Sequence, residues 1–138
     1  IQALQAITSG DQNTVIGNEA GKGITTSGKN TAVGSGALQS NTTASNNTAV
    51  GQGALELNTT GASNVAVGAL ALDANTTASN NTAVGKDALG ANTEGGQNTA
   101  VGLQSLKTNT IYRLTFYLTE EKMSLKIMVP RDCSLRNE

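Results

Sequence analysis

The chain has 138 residues, room for one domain of ordinary size. Its formal net charge is −1 and charged residues make up 14%, against about 25% in typical soluble domains. That balance gives no bulk attraction to nucleic acid or to an anionic membrane, and no basic patch with interleaved aromatics marks a nucleic-acid face. The sequence has no His and a single Cys, Cys133, so Ser-His-Asp and Cys-His nucleophile schemes and an intrachain disulfide framework are excluded. The expectation is a protein that is not an enzyme and needs no cofactor or metal.

From the N-terminus, Ala3-Leu4 and Ile7-Thr8-Ser9 read as the tail of a unit that becomes explicit at Asn13. From there Asn-Thr-Ala-Val-Gly recurs at Asn13, Asn30, Asn47, Asn64, Asn81 and Asn98, always 17 residues apart. The Gly four positions on is equally regular, at Gly17, Gly34, Gly51, Gly68, Gly85 and Gly102. The unit is N-T-A-V-G-x-x-A-L-x-x-N-T-T-x-x-x, and it accounts for residues 1–110.

Each unit carries several Gly, Asn and Thr, which are poor helix formers, while Thr and Val alternate with the period of a strand. A period of this kind predicts an all-β, parallel β-solenoid in which each unit is one rung and equivalent residues stack in columns about 4.7–4.8 Å apart. The Val column (Ile16, Val33, Val50, Val67, Val84, Val101) is expected to face the interior. Ala20, Ala37, Ala54, Ala71 and Ala88 are expected where two walls approach closely, and Leu38, Leu55, Leu72, Leu89 and Leu106, interrupted by Gly21, fill a second apolar line. The Asn13-to-Asn98 column is expected to form a side-chain amide ladder, and the Gly column to turn corners. Asp11, Glu19, Lys22, Lys29, Glu56, Asp73, Lys86, Asp87, Glu94 and Lys107 all fall outside these columns, as solvent-facing positions require. With one Val and one Leu per rung the core is thin, which predicts a homo-oligomer packed side by side along the axis.

A Thr column (Thr8, Thr25, Thr42, Thr59, Thr76, Thr93, Thr110) has a neighbouring Thr in most rungs (Thr26, Thr43, Thr60, Thr77). Regular Thr arrays on flat solenoids can bind ice, but adjacent Thr are expected to point to opposite sides, so ice binding is kept as an alternative. Gly17 to Gly23 has the wrong spacing for a phosphate loop and lacks Ser or Thr after Lys22. The calcium-binding G-G-x-G-x-D repeat is absent, and Asn-x-Thr triplets such as Asn41-Thr42-Thr43 are better read as ladder positions than as glycosylation acceptors.

Residues 111–138 break the period and hold every aromatic, both Met and the one Pro. Leu114, Phe116 and Leu118 alternate, as do Met123, Leu125, Ile127 and Val129, with Thr119 to Lys122 between them. This predicts a β-hairpin-like cap over the open end of the solenoid. A receptor-binding tip and a foreign or truncated stretch of coding sequence are the alternatives. No signal peptide and no stretch apolar enough to cross a bilayer as a helix are visible. The sequence does not start with Met, so a fragment or processed product is expected.

The unit N-T-A-V-G-x-x-A-L-x-x-N-T-T, clearest from Asn47 to Thr60, resembles repeats of phage tail fibres and bacterial surface proteins. It is similar, more distantly, to the head repeat of trimeric autotransporter adhesins, whose N-S-V-A-I-G core is closest to Asn64-Val65-Ala66-Val67-Gly68. The resemblance covers about four fifths of the chain. It implies a left-handed β-roll, a homotrimer, an extracellular, cell-surface or virion location, and a fibre segment that meets a cell-surface glycan or protein receptor. A passive structural virion component is the further alternative. Autotransporter units are usually shorter, so the turns must differ, and no stalk, anchor or chaperone domain is recognisable here.

Overall fold

The computed structural model describes residues 2–108, 114–119 and 122–127. The chain is an all-β parallel solenoid with a 17-residue period, and no helix occurs among the described residues. Six three-residue strands, β1 (Thr14–Ile16), β2 (Thr31–Val33), β3 (Thr48–Val50), β4 (Val65–Val67), β5 (Thr82–Val84) and β6 (Thr99–Val101), stack in parallel. Every register is one repeat, so Ala32 meets Ala49 and Ala49 meets Ala66. The ladder scarcely varies along the axis. Thr31 N–H donates to Asn47 O at 2.9 Å and Thr82 N–H to Asn98 O at 2.8 Å, while Gly34 N–H donates to Ile16 O and Gly68 N–H to Val50 O, both at 2.8 Å.

The period-2 reading of the strand holds, but its phase is the reverse of that expected. The central Ala points inward: Ala32, Ala49, Ala66, Ala83 and Ala100 are fully buried. Thr and Val, two apart, share the outer face. Ile16, Val67 and Val101 are exposed, and Val33, Val50 and Val84 are only half-buried. The reason is room. The interior is closed by Leu38, Leu55, Leu72 and Leu89, flanked by the strand Ala column and by Ala37, Ala54, Ala71 and Ala88, all fully buried. A Val column would not fit opposite that Leu column.

The first complete rung demonstrates the constraint. It carries Val15 at the strand centre, Gly21 in the Leu column and Ile24 where later rungs have Asn. A Cβ on Gly21 would lie 3.0 Å from Ile24 Cδ1 and 3.2 Å from Val15 Cγ2. The larger Val15 and Ile24 occupy the space that Leu leaves, so one volume is filled by different residues.

Beyond each strand the chain turns without a helix. Gly51 has a φ of 135°, and a Cβ there would stand 2.5 Å from Gly68 O of the next rung, so only Gly lets the rungs stack at this corner. Overlapping four-residue turns follow: Ala54 N–H donates to Gly51 O, Glu56 N–H to Gly53 O and Asn58 N–H to Leu55 O, at 3.2–3.3 Å. The Leu column sits inside this run in the left-handed region, with φ of 51° at Leu38 and 53° at Leu55 and Leu72. That conformation costs roughly 1–2 kcal/mol for an L-residue. Full burial of Leu supplies about 1.5–3 kcal/mol, which offsets it. Gly21, at φ 55°, avoids the strain and loses the burial.

After Thr108 the expected repeat boundary at residue 110 lies outside the described residues, as do Tyr112, Glu120, Glu121, Val129 and Cys133. β7 (Leu114–Thr119) joins β6 in parallel through Thr99 and Thr115. β8 (Lys122–Ile127) pairs antiparallel with β7, Leu114 opposite Ile127 and Phe116 opposite Leu125.

Candidate interaction surface

The interior is held by two Asn columns with different bonding. In the first, the side-chain oxygen accepts the backbone N–H of the next Asn: Asn47 N–H donates to Asn30 Oδ1 and Asn64 N–H to Asn47 Oδ1, both at 2.9 Å. Its amide then donates within the rung, as Asn47 Nδ2 does to Gly61 O and Asn64 Nδ2 to Ala78 O, both at 2.9 Å. This is a side-chain-to-backbone ladder and corrects the expected amide-to-amide one. The amide ladder exists in the second column, Asn41, Asn58, Asn75 and Asn92. Asn58 Nδ2 donates to Asn41 Oδ1 at 3.1 Å and Asn75 Nδ2 to Asn58 Oδ1 at 2.9 Å. Asn58 Nδ2 also donates to Gly61 O, so one carbonyl receives an amide from each column. From Asn30 to Asn75 the buried side-chain amides are thereby paired rung by rung, as a dry interior demands. The ladder starts at a bespoke end. Ser27 Oγ accepts both Asn30 Nδ2 (3.3 Å) and Asn41 Nδ2 (3.1 Å), and Ile24 stands in place of the next Asn.

With Asn, Ala, Leu and Gly committed to the rung, the external surface is left to other columns. The outer sheet face carries Thr14, Thr31, Thr48, Val65, Thr82 and Thr99 in one line and Ile16, Val33, Val50, Val67, Val84 and Val101 in the other. Ile16 is 61% and Val101 48% exposed. No charged side chain stands in either line. The strand Thr hydroxyls form no hydrogen bond to protein. The turn Thr column differs: Thr25 Oγ1 donates to Thr42 O at 3.1 Å and Thr59 Oγ1 to Thr76 O at 3.0 Å, so its hydroxyls serve the stack. Thr42 and Thr43 are both exposed. These adjacent Thr lie in a bend and not in a strand, where the two-residue alternation of a strand does not apply. The Thr-x-Val pairing on one face was present in the sequence and was masked by assigning Val to the interior.

The charged groups lie on the turn walls. Lys22 pairs with Glu19 at 3.2 Å and Lys107 with Asp87 at 3.9 Å. Burial pushes the Asp73 carboxyl above its ordinary value. Backbone N–H groups of Asp73 and Ala74 oppose the rise, and the nearby carboxylates of Asp87 and Glu56 add to it. Among the described residues no group of three or more His, Cys, Asp or Glu could hold a metal ion. A cleft of about 290 Å³ opens between the fourth and fifth rungs, lined by residues 77–80 and by Glu94, Gly96 and Gln97.

Among the described residues the geometry offers regular surfaces and a small cleft between rungs. Comparison with family models, with curated proteins and with solved structures gives no match to this chain.

Proposed function

We propose that this chain is a segment of an extracellular fibre, of the tail-fibre or surface-adhesin kind, that forms a rigid homotrimeric shaft or head and presents repeated binding surfaces to a cell envelope. The observation that carries the reading is the outer sheet face. Six rungs place Ile or Val in one uncharged line, with Ile16, Val67 and Val101 exposed and Val33, Val50 and Val84 half-buried, and a single chain has no reason to maintain such a line in water. Copies packed around a common axis cover that line and thicken a core that is mostly Ala. The left-handed sense and the number three rest on the resemblance to autotransporter heads. Three copies give avidity beyond one site, and the β7–β8 pair then closes the end of the stack. Sedimentation of the full chain tests the reading: a trimer is expected, which Val50→Asp converts to monomer, and a wild-type monomer at micromolar concentration contradicts it.

One observation favours a second reading. If the face is not covered, its unpartnered Thr hydroxyls and Val methyls form a regular, charge-free array, which is the kind of surface that orders water as ice. Thermal hysteresis from a monomer, lost in Thr48→Lys and kept in Thr42→Lys, selects ice binding. No hysteresis in the monomer removes it.

A further inference from the structure

Five Asn-x-Thr triplets occur in the repeat, beginning at Asn41, Asn46, Asn58, Asn75 and Asn80. They match the acceptor pattern of N-glycosylation. The fold divides them into two sets. Asn41, Asn58 and Asn75 are fully buried. Their amides serve the stack: Asn41 Nδ2 donates to Ala44 O at 2.9 Å, Asn58 Nδ2 to Asn41 Oδ1 at 3.1 Å and Asn75 Nδ2 to Asn58 Oδ1 at 2.9 Å. A sugar on any of these nitrogens would take a hydrogen from the ladder and demand room that a close-packed interior lacks.

Asn46 and Asn80 are placed differently. Each is the last residue of its rung and is exposed at the corner before a strand. Both hold a φ of 63°, and neither side-chain amide bonds to a described residue. The left-handed corner does not require Asn, since Gln12, Lys29, Ser63 and Gln97 hold the equivalent position at φ of 57–62°. Two residues on, Thr48 and Thr82 open β3 and β5, half-buried and with hydroxyls that bond to no described residue. In these two triplets, therefore, both the amide and the Thr hydroxyl are left over from the work of the stack.

Resting on the extracellular part of the reading above, we infer that Asn46 and Asn80 are glycan acceptors, modified once the rungs have closed. The donor is a sugar activated as its diphosphate ester. The bond from the sugar C1 to the diphosphate oxygen breaks, the C1–Nδ2 bond forms, and the amide gives up one proton as the diphosphate leaves. Closure comes first because it withdraws Asn41, Asn58 and Asn75 from the transferase. The two acceptors are separated by the Ser63 rung, about 9.5 Å along the axis, so the attached sugars do not crowd each other on adjacent rungs.

Peptide mass mapping of the natural chain tests this. Sugar is expected at Asn46 and Asn80 and at none of Asn41, Asn58 and Asn75. The recombinant full chain, given a soluble Asn-x-Thr glycosyltransferase and uridine diphosphate glucose, is expected to gain hexose at the same two sites. The variant Leu55→Asp/Leu72→Asp, unfolded by two buried charges, is expected to gain it at all five. Thr48→Val places in β3 the residue that β4 carries at Val65. It is expected to keep the fold and the melting temperature, to slow addition at Asn46 at least tenfold and to leave Asn80 unchanged. The inference is overturned if the natural chain is bare at both sites, if the folded chain is labelled equally at the buried three, or if Asn46 is indifferent to Thr48→Val. A glycosylated natural chain that sediments as a monomer would uphold the acceptors and count against the fibre.

Discussion

Leu72 is fully buried and yet holds a φ of 53°, so two opposing contributions meet in one residue. Leu72→Ala loses the buried side chain and keeps the strain, and is expected to cost about 2–5 kcal/mol. Leu72→Gly removes more atoms but relieves a left-handed cost of roughly 1–2 kcal/mol, so it is expected to be no less stable than Leu72→Ala in urea unfolding. In an ordinary helix the order is reversed. Gly51 is the opposite case. Its Cβ would meet the Gly68 carbonyl at 2.5 Å, and Gly51→Ala is expected to lower the melting temperature more than Gly36→Ala, whose Cβ meets nothing closer than 4.0 Å. Asp73 gives a pH signature. Its folded pKa lies above the unfolded value, so its contribution to stability is fullest below the unfolded pKa and is lost as pH rises through the folded pKa. Asp73→Asn is therefore expected to stabilise the protein at neutral pH and to change little below the ordinary Asp range, as thermal melts across pH will show.

At the scale of the rung, columns are coupled. Gly21→Leu alone crowds Ile24 and Val15 and is expected to cost about 1–3 kcal/mol. Combined with Val15→Ala and Ile24→Asn it recreates the rung used elsewhere, and the triple variant is expected to be more stable than the sum of the singles by over ~1 kcal/mol. Additive losses in the same unfolding series would mean that the three sites are independent. This coupling also explains what could be read from the sequence. The period, the strand over Thr-Ala-Val, the turn role of Gly and the buried Ala and Leu lines were legible because each column repeats one residue type. The phase of the strand was not, because alternation of Thr, Ala and Val is satisfied by either face. Only the space left by Leu38, Leu55, Leu72 and Leu89 settles that Ala goes in. The two Asn columns look alike in sequence. They bond differently because one precedes a strand, where its oxygen meets a backbone N–H, and the other precedes a bend, where it meets another amide.

For the whole molecule, the stack behaves as a one-dimensional array in which each rung contacts only its neighbours. Its two ends are not equivalent. Ser27 and Ile24 close the Asn ladders at the first rung, while toward the other end Asn81 Nδ2, Asn92 Oδ1 and Ser105 Oγ are buried without partners. Hydrogen exchange is expected to be slowest for the amides of β2 to β4 and faster in β6. All of this serves a straight wall of repeated Thr and Val, and the central claim is that copies of the chain close over that wall. Analytical ultracentrifugation of the full chain at micromolar concentration tests it most directly. The account predicts a homotrimer that Val50→Asp dissociates without loss of β-structure; a wild-type monomer, or a trimer indifferent to Val50→Asp, would contradict it.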